Sequence, residues 1–264
     1  MGGERRSGGQ NLDRPHHQLV VKGRRGSVEM DVALELTAPW TVIFGPSGSG
    51  KSSLLRAACG LVPGVQVEFR RWDATAKSGQ GDWIELQGPA RSLPTSWREL
   101  AYAPQGTAIF PHLTVKQNIE FGWKSRGAFG KKAGADRRFV EEAIELFAMG
   151  PLLKRRPREL SGGERQGVGL ARAFAVPKAK LVLLDEPFSG IGRGMREALI
   201  PAMRARLAAL GIPALSVTHD VEEALLLGAE VVRLDAGKVV ARGPAKQVLA
   251  DERVAMMRTL IGDD

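Results

Sequence analysis

Cysteine is nearly absent. Cys59 is the single one in 264 residues, so no disulfide framework can form within the chain and a reducing compartment suits it. Aromatic residues make up 6%, with one tyrosine, which excludes an extensive base-stacking surface. Long apolar runs are also missing. Leu181–Leu184 and Leu225–Leu227 fall far short of the roughly 18–20 residues of a membrane-spanning helix. The start, residues 1–18, is rich in Gly, Arg and His and lacks the apolar stretch of a secretory signal. It reads as a disordered tail, with His16 and His17 inert within it. A cytoplasmic protein is expected, peripheral on the inner face of the cell membrane if a partner carries it there.

What is present is an ordinary globular mixture, 43% hydrophobic and 25% charged, in a chain long enough for one large domain or two small ones. The net charge of +9 admits a phosphate-rich partner or a basic solvated surface. Its pairs are scattered, at Arg24–Arg25, Arg70–Arg71, Lys131–Lys132 and Lys154–Arg156, which describes solvent-facing charge and no nucleic-acid surface.

Strand patterns alternate with helix patterns, which implies an α/β fold with a mostly parallel sheet. Leu19–Leu36 reads as two strands about a turn at Lys22–Ser27. Trp40–Phe44 is an apolar strand. A helix runs from Lys51 to Cys59, with Cys59 packed in the core. Residues 65–97 show little periodicity and suit an elaborated strand region. Leu100–Pro104 is a strand, Thr114–Phe121 a helix, Gly127–Gly134 a connector, and Asp136 caps the next helix. Ser161 opens a helix that stops at Pro177. Leu181–Leu184 is apolar on both faces. A helix from about Met195 to Leu210 follows, then strand Ala214–Thr218, helix Val221–Leu227 and a hairpin about Asp235–Lys238.

Five features carry chemistry. Gly45-Pro46-Ser47-Gly48-Ser49-Gly50-Lys51-Ser52 fits G-x-x-x-x-G-K-S between a strand and a helix, with Ser53 in the first helical turn. Its glycines let successive amides face one concavity, and the helix start adds a positive dipole end. Lys51 reaches the β- and γ-phosphates and Ser52 binds Mg²⁺. Leu181–Leu184 ends in Asp185 and Glu186, at the carboxyl edge where ligands bind in parallel sheets. Asp185 holds Mg²⁺, and Glu186 polarises the attacking water. Leu160-Ser161-Gly162-Gly163-Glu164 is a capping box whose first turn carries no bulky side chains, a second anion site. The economical arrangement has it facing the γ-phosphate held by another subunit. Gln105 and His219 each follow a parallel strand on the same edge. Gln105 binds Mg²⁺ or the water, and His219 contacts the γ-phosphate.

In this order the set resembles the ATP-binding cassette (ABC) ATPases, over about Leu19 to Leu249. Gly45–Ser52 matches the Walker A loop, Gln105 the Q-loop, Leu160–Glu164 the signature, Leu181–Glu186 Walker B and His219 the H-loop. The resemblance implies a P-loop core over 19–104 and 161–250 with an antiparallel β subdomain, and an inserted helical subdomain over 105–160. Residues 251–264 form a C-terminal helix or tail. It implies an ATPase that takes ATP and Mg²⁺, and a head-to-tail homodimer with two nucleotides between Walker A loops and signatures. It further implies membrane permease subunits docked on the helical subdomain, and a periplasmic or extracellular solute-binding protein beyond them. The stretch Ile109–Ile119 is similar to importers of molybdate, sulfate and sugars, and Ile212–His219 leans toward the molybdate type. Three positions depart from the family. No aromatic residue in Lys22–Ser27 can stack on adenine, although Arg24 or Arg25 can lie over the ring. Gly167 replaces an arginine, and Gly192 ends the D-loop in place of aspartate. These departures leave open an alternative, a nucleotide-dependent dimerising switch with little hydrolysis.

Overall fold

The computed structural model describes residues 15–76, 81–106, 108–125 and 137–261. The expected connector at 127–134, the cap at Asp136 and most of the expected tail lie outside these residues. Among the described residues, ten strands form one sheet in the order β5-β4-β1-β2-β10-β9-β3-β8-β7-β6. Its parallel part comprises β3 (Trp40–Phe44), β6 (Leu100–Ala103), β7 (Leu181–Asp185), β8 (Ala214–Thr218) and β9 (Glu230–Asp235). The antiparallel part comprises β1 (His17–Arg25), β2 (Val28–Leu36), β4 (Gln66–Asp73) and β5 (Asp82–Gln87). β10 (Lys238–Pro244) joins the two parts, antiparallel to β9 and touching β2 in parallel at Lys238 and Asp31.

The central strands are wholly buried because both faces are covered. Successive side chains then enter different cores. Val182 and Leu184 join one core with Trp40 and Val42, whereas Leu181 and Leu183 join the other with Ile43 and Val217. Thr41, Asp185, Ser216 and Thr218 are the polar residues buried in these strands, and the Trp40 indole N–H donates to the Ser216 hydroxyl at 2.9 Å. The first core includes α2 (Val115–Ser125), α3 (Arg138–Leu146), α4 (Gly162–Phe174) and α5 (Arg193–Leu210). The second packs α1 (Lys51–Ala58) against the antiparallel strands. α4 contacts α2, α3 and β6, so it is the seam between the helical segment and the sheet.

The sheet takes in more of the start of the chain than the sequence suggests. The expected tail to residue 18 gives way to strand at His17. The reason is pairing on both sides: His16 N–H donates to Leu36 O at 2.8 Å, and Trp72 N–H donates to His16 O at 3.0 Å. His17 is buried and stacked on Phe69 with ring centroids 5.7 Å apart. Burial lowers its imidazole well below the ordinary range, so the ring is neutral. The weak periodicity over 65–97 also has a cause, since the β4–β5 register slips between Phe69 and Arg70 and ends the alternation. After the Ser161 turn, α4 ends at Phe174, before the expected Pro177.

Candidate active site

β3, β6, β7 and β8 run parallel, so the segments after them meet on one edge of the sheet. Those segments hold the glycine loop, Gln105, Glu186 and His219, the residues singled out in the sequence.

The loop geometry is set by backbone crowding. A Cβ at Gly45 would overlap the carbonyl oxygen of Leu234 at the end of β9. Gly48 and Gly50 adopt φ of 84° and 102°, in the region that favours glycine. Gly50 caps α1 with no side-chain hydrogen bond, so the first amides of that helix keep their donors directed at the loop's concavity. Lys51 Nζ donates to the carbonyls of Gly45 and Pro46 at 2.7 and 2.8 Å, which folds the ammonium into the loop. Burial lowers its pKa, against the pull of Glu186 and Asp185. The Ser49 hydroxyl is buried there without a hydrogen-bond partner. Gly45→Ala should therefore displace the loop from β9 and lower stability by about 1–3 kcal/mol, the ordinary cost of overpacking. The midpoint of urea unfolding measures it.

Asp185 is 0% exposed and sits at the end of β7. Its Oδ1 accepts from the Ser52 hydroxyl at 2.8 Å, while Tyr102 Oη lies 3.4 Å and Arg56 Nη2 3.9 Å from Oδ2. Ser52 and Asp185 thus offer hard oxygen atoms side by side, a donor set that fits magnesium. Burial raises the Tyr102 phenol to about 12, so it remains a donor beside the carboxylate.

Glu186 stands at φ 49°, strained for a residue with a side chain. Its amide donates to Val217 O at 3.0 Å, and its carbonyl accepts from the Ser189 hydroxyl at 3.0 Å and from Gln166 Nε2 at 3.3 Å. This grip aims the carboxylate at His219, whose Nδ1 lies 2.8 Å from Oε1. The side chain of Glu186 is 14% exposed and that of His219 59%. The pair can hold or pass a proton at the carboxyl edge. Gln105 is exposed in the bend after β6, with no contact to the pair described.

Ser161 caps α4 as expected. Glu164 N–H donates to Ser161 Oγ at 3.2 Å, and Ser161 N–H donates to Glu164 Oε2 at 2.6 Å. Hydrogen bonds from the Ser161 turn lower the Glu164 carboxyl pKa. Ser161 and Gly162 are exposed, and Gly163 approaches Gly190 closely. Ser161→Ala should cost about 1 kcal/mol through loss of the cap, visible in the unfolding midpoint.

Sequence reasoning missed the supports of the site: Tyr102, Arg56 and Glu223, and the grip of Gln166 on Glu186. Gln166 Nε2 also donates to Pro187 O at 3.0 Å. Glu223 lies in α6 (Val221–Leu226) and is 3% exposed. Burial raises its carboxyl to about 8 from an ordinary 4.5, reinforced by Asp220 and Glu186 and opposed by the Thr218 hydrogen bond and Arg196. The folded chain keeps a proton that the unfolded chain releases near 4.5. Glu223 therefore contributes stability fully below that value, and the contribution is lost as pH rises to about 8. Denaturation midpoints of wild type should fall across this window relative to those of Glu223→Gln.

Residues 31–189 match the ABC transporter family. The chain belongs to the ABC transporter family. The molybdenum import ATP-binding protein ModC of Albidiferax ferrireducens is 35% identical over 88% of this chain and 59% of its own length. The molybdate/tungstate import ATP-binding protein WtpC of Thermococcus kodakarensis is 40% identical over 81% of this chain and 60% of its own. This ABC chain spans about three fifths of the length of such curated relatives. Two ABC structures share its fold. One is cbiO1 of Clostridium perfringens, part of the transporter complex cbiONQ, at TM-score 0.69 and 19% identity, covering 94% of this chain and 96% of that one. The other is a dimeric cassette in a post-hydrolysis state bound to ADP and Pi, at TM-score 0.70 and 23% identity, covering 87% and 98%. Together they support the α/β P-loop fold expected from the motifs. Among the described residues, no helix is long and apolar enough to cross a membrane.

Proposed function

We propose that the chain hydrolyses ATP as the ATP-binding subunit of an importer, with molybdate or a related oxyanion as the solute. The observation that carries the reading is the meeting of the glycine loop, the Ser52–Asp185 pair and the Glu186–His219 pair on one sheet edge. In it, Gly45–Ser53 cradle the phosphates through backbone amides, and Lys51 neutralises charge on the β- and γ-oxygens. Ser52 and Asp185, with Gln105, would hold magnesium, which would supply positive charge to offset that of the phosphate oxygens. Glu186 accepts a proton from the attacking water, and His219 orients that carboxylate and contacts the γ-phosphate. The relatives named for molybdenum, molybdate/tungstate and sulfate import support the oxyanion.

Ser161, Gly162, Gly163 and Glu164 complete the site of a second copy in a head-to-tail homodimer. Residues 105–160 dock on membrane permease subunits, which place the chain on the inner face of the membrane and link it to a solute-binding protein outside. Nucleic acid has no part in this reading. The test is phosphate release by the purified chain with ATP and magnesium, then uptake of molybdate, tungstate or sulfate into vesicles holding the chain with its permease. Absence of turnover in both settings rejects the ATPase. The composite site has its own test in mixed dimers. Copies carrying Glu186→Gln mixed with copies carrying Ser161→Arg retain one intact site and should recover turnover. Copies carrying both changes, mixed with wild type, form dimers with no intact site, so turnover should not exceed that of the wild-type dimers left in the mixture.

A further inference from the structure

We propose that the buried Glu223 carboxyl is a positioning residue: it clamps the turn that carries His219, and loss of its proton releases that turn. His219 lies between two residues that are tied into Glu223. On one side, the Thr218 hydroxyl donates to Glu223 Oε2 at 3.0 Å. On the other, Asp220 Oδ1 accepts from the Glu223 amide at 3.0 Å. The Asp220 amide in turn donates to the Thr218 hydroxyl oxygen at 3.0 Å, so the turn closes through Glu223. The second carboxyl oxygen, Oε1, is buried with no hydrogen-bond partner. A neutral carboxyl is tolerated at that atom at modest cost, whereas a bare negative charge there is unsupported and costs far more.

The charged groups facing Glu223 decide what ionisation does. Asp220 faces it from its own turn, Arg196 from α5, and Glu186 from the end of β7. Arg196 is already committed to Asp220, with Nη1 2.6 Å from Oδ2. A charged Glu223 therefore meets two carboxylates and one cation that is already paired. Repulsion acts on the segment between Glu223 and Glu186, which is the His219 turn. The direction agrees with the carboxyl pKa raised to about 8.

The proposal deepens the ATPase reading and rests on it for one of two measurements. Turnover of the full chain is followed from neutral to alkaline pH in wild type and Glu223→Gln, whose amide keeps the neutral form. If only the protonated state holds His219, wild type should lose about tenfold between pH ~7 and ~9, and the variant should lose little. A purely structural role would lower both profiles without removing the alkaline limb. An equal limb in the variant, or none in wild type, overturns the clamp. The second measurement needs no turnover. The chain has four histidines, so the His219 ring signals can be assigned by their loss in His219→Ala. They should show a step centred near pH ~8 in wild type that is absent in Glu223→Gln. If the variant fails to fold, the wild-type ring decides alone, and a flat trace through that range overturns the clamp. Turnover without the step refutes the clamp and leaves the ATPase standing. The step without turnover does the reverse.

Discussion

Replacing Glu186 with glutamine should lower ATP turnover about a thousandfold while nucleotide binding and ATP-dependent dimerisation persist. The figure lies within the ~10²–10⁴ contribution of a positioned general base. Its argument is local. The backbone of Glu186 is gripped on both sides, by Val217 O on its amide and by Ser189 and Gln166 on its carbonyl. Those bonds do not involve the side chain, so glutamine inherits the placement. It also inherits an oxygen for His219 Nδ1, which stands 2.8 Å from Glu186 Oε1. What it lacks is an atom that can accept a proton from water. Steady-state phosphate release measures the loss, and equilibrium nucleotide binding with size-exclusion chromatography checks that the clamp survives. Equal turnover in wild type and variant would remove Glu186 from the base role. Negligible turnover in wild type, with dimerisation intact, would favour a nucleotide switch.

The parts of this fold that could be read from the sequence are those set by local pattern. Leu181–Leu184 is an unbroken apolar run, and Trp40–Phe44 and Ala214–Thr218 carry only Thr41, Ser216 and Thr218 as polar residues, a pattern that a strand covered on both faces explains. The Ser161 cap was equally legible, because its partners are three residues apart. The β-rich half was harder. His17 looks like part of a polar tail until Phe69, far along the chain, supplies the ring it stacks on. The supports of the site share that property. Tyr102 reaches Asp185 across 83 positions and Gln166 reaches Glu186 across 20, so no short motif announces either. Glu223 was hidden differently. On a short helix a glutamate reads as surface charge, and only its burial, against the pull of the Thr218 hydrogen bond, makes it an acid with a raised pKa.

The departures at Gly167 and Gly192 take on local meaning in the structure. Gly167 is buried in α4, and a Cβ there would meet the flexible Met149 methyl at 3.1 Å, which would have to shift by a few tenths of an ångström. Gly192 caps α5 without a side-chain bond. Nearby, Arg193 pairs with Glu222 at 2.8 Å and Arg196 with Asp220 at 2.6 Å. The start of α5 is thereby tied to the turn after His219 by ion pairs. These connect the segment after Glu186 with the histidine that faces it, even with glycine at the D-loop end.

Lys51→Ala should lower ATP affinity about a thousandfold and abolish turnover, with the fold retained. Two or three charge-assisted hydrogen bonds to phosphate oxygens, at ~1.5–3 kcal/mol each, are enough to account for that loss. Lys51 is 6% exposed, and its ammonium is already directed into the loop by the carbonyls of Gly45 and Pro46. It can therefore turn to a phosphate without first losing the freedom of a surface lysine. Removing it strips two loop carbonyls of their donor, so a modest fall in unfolding midpoint accompanies the binding defect. Arginine should not rescue. The planar guanidinium is larger than the ammonium and cannot occupy the same point between two carbonyls of so tight a loop. Fluorescence titration with a nucleotide analogue, set beside the unfolding midpoint, separates the two effects. If affinity for nucleotide is unchanged while stability falls, Lys51 serves only the loop and the phosphate cradle must be sought elsewhere on the sheet edge.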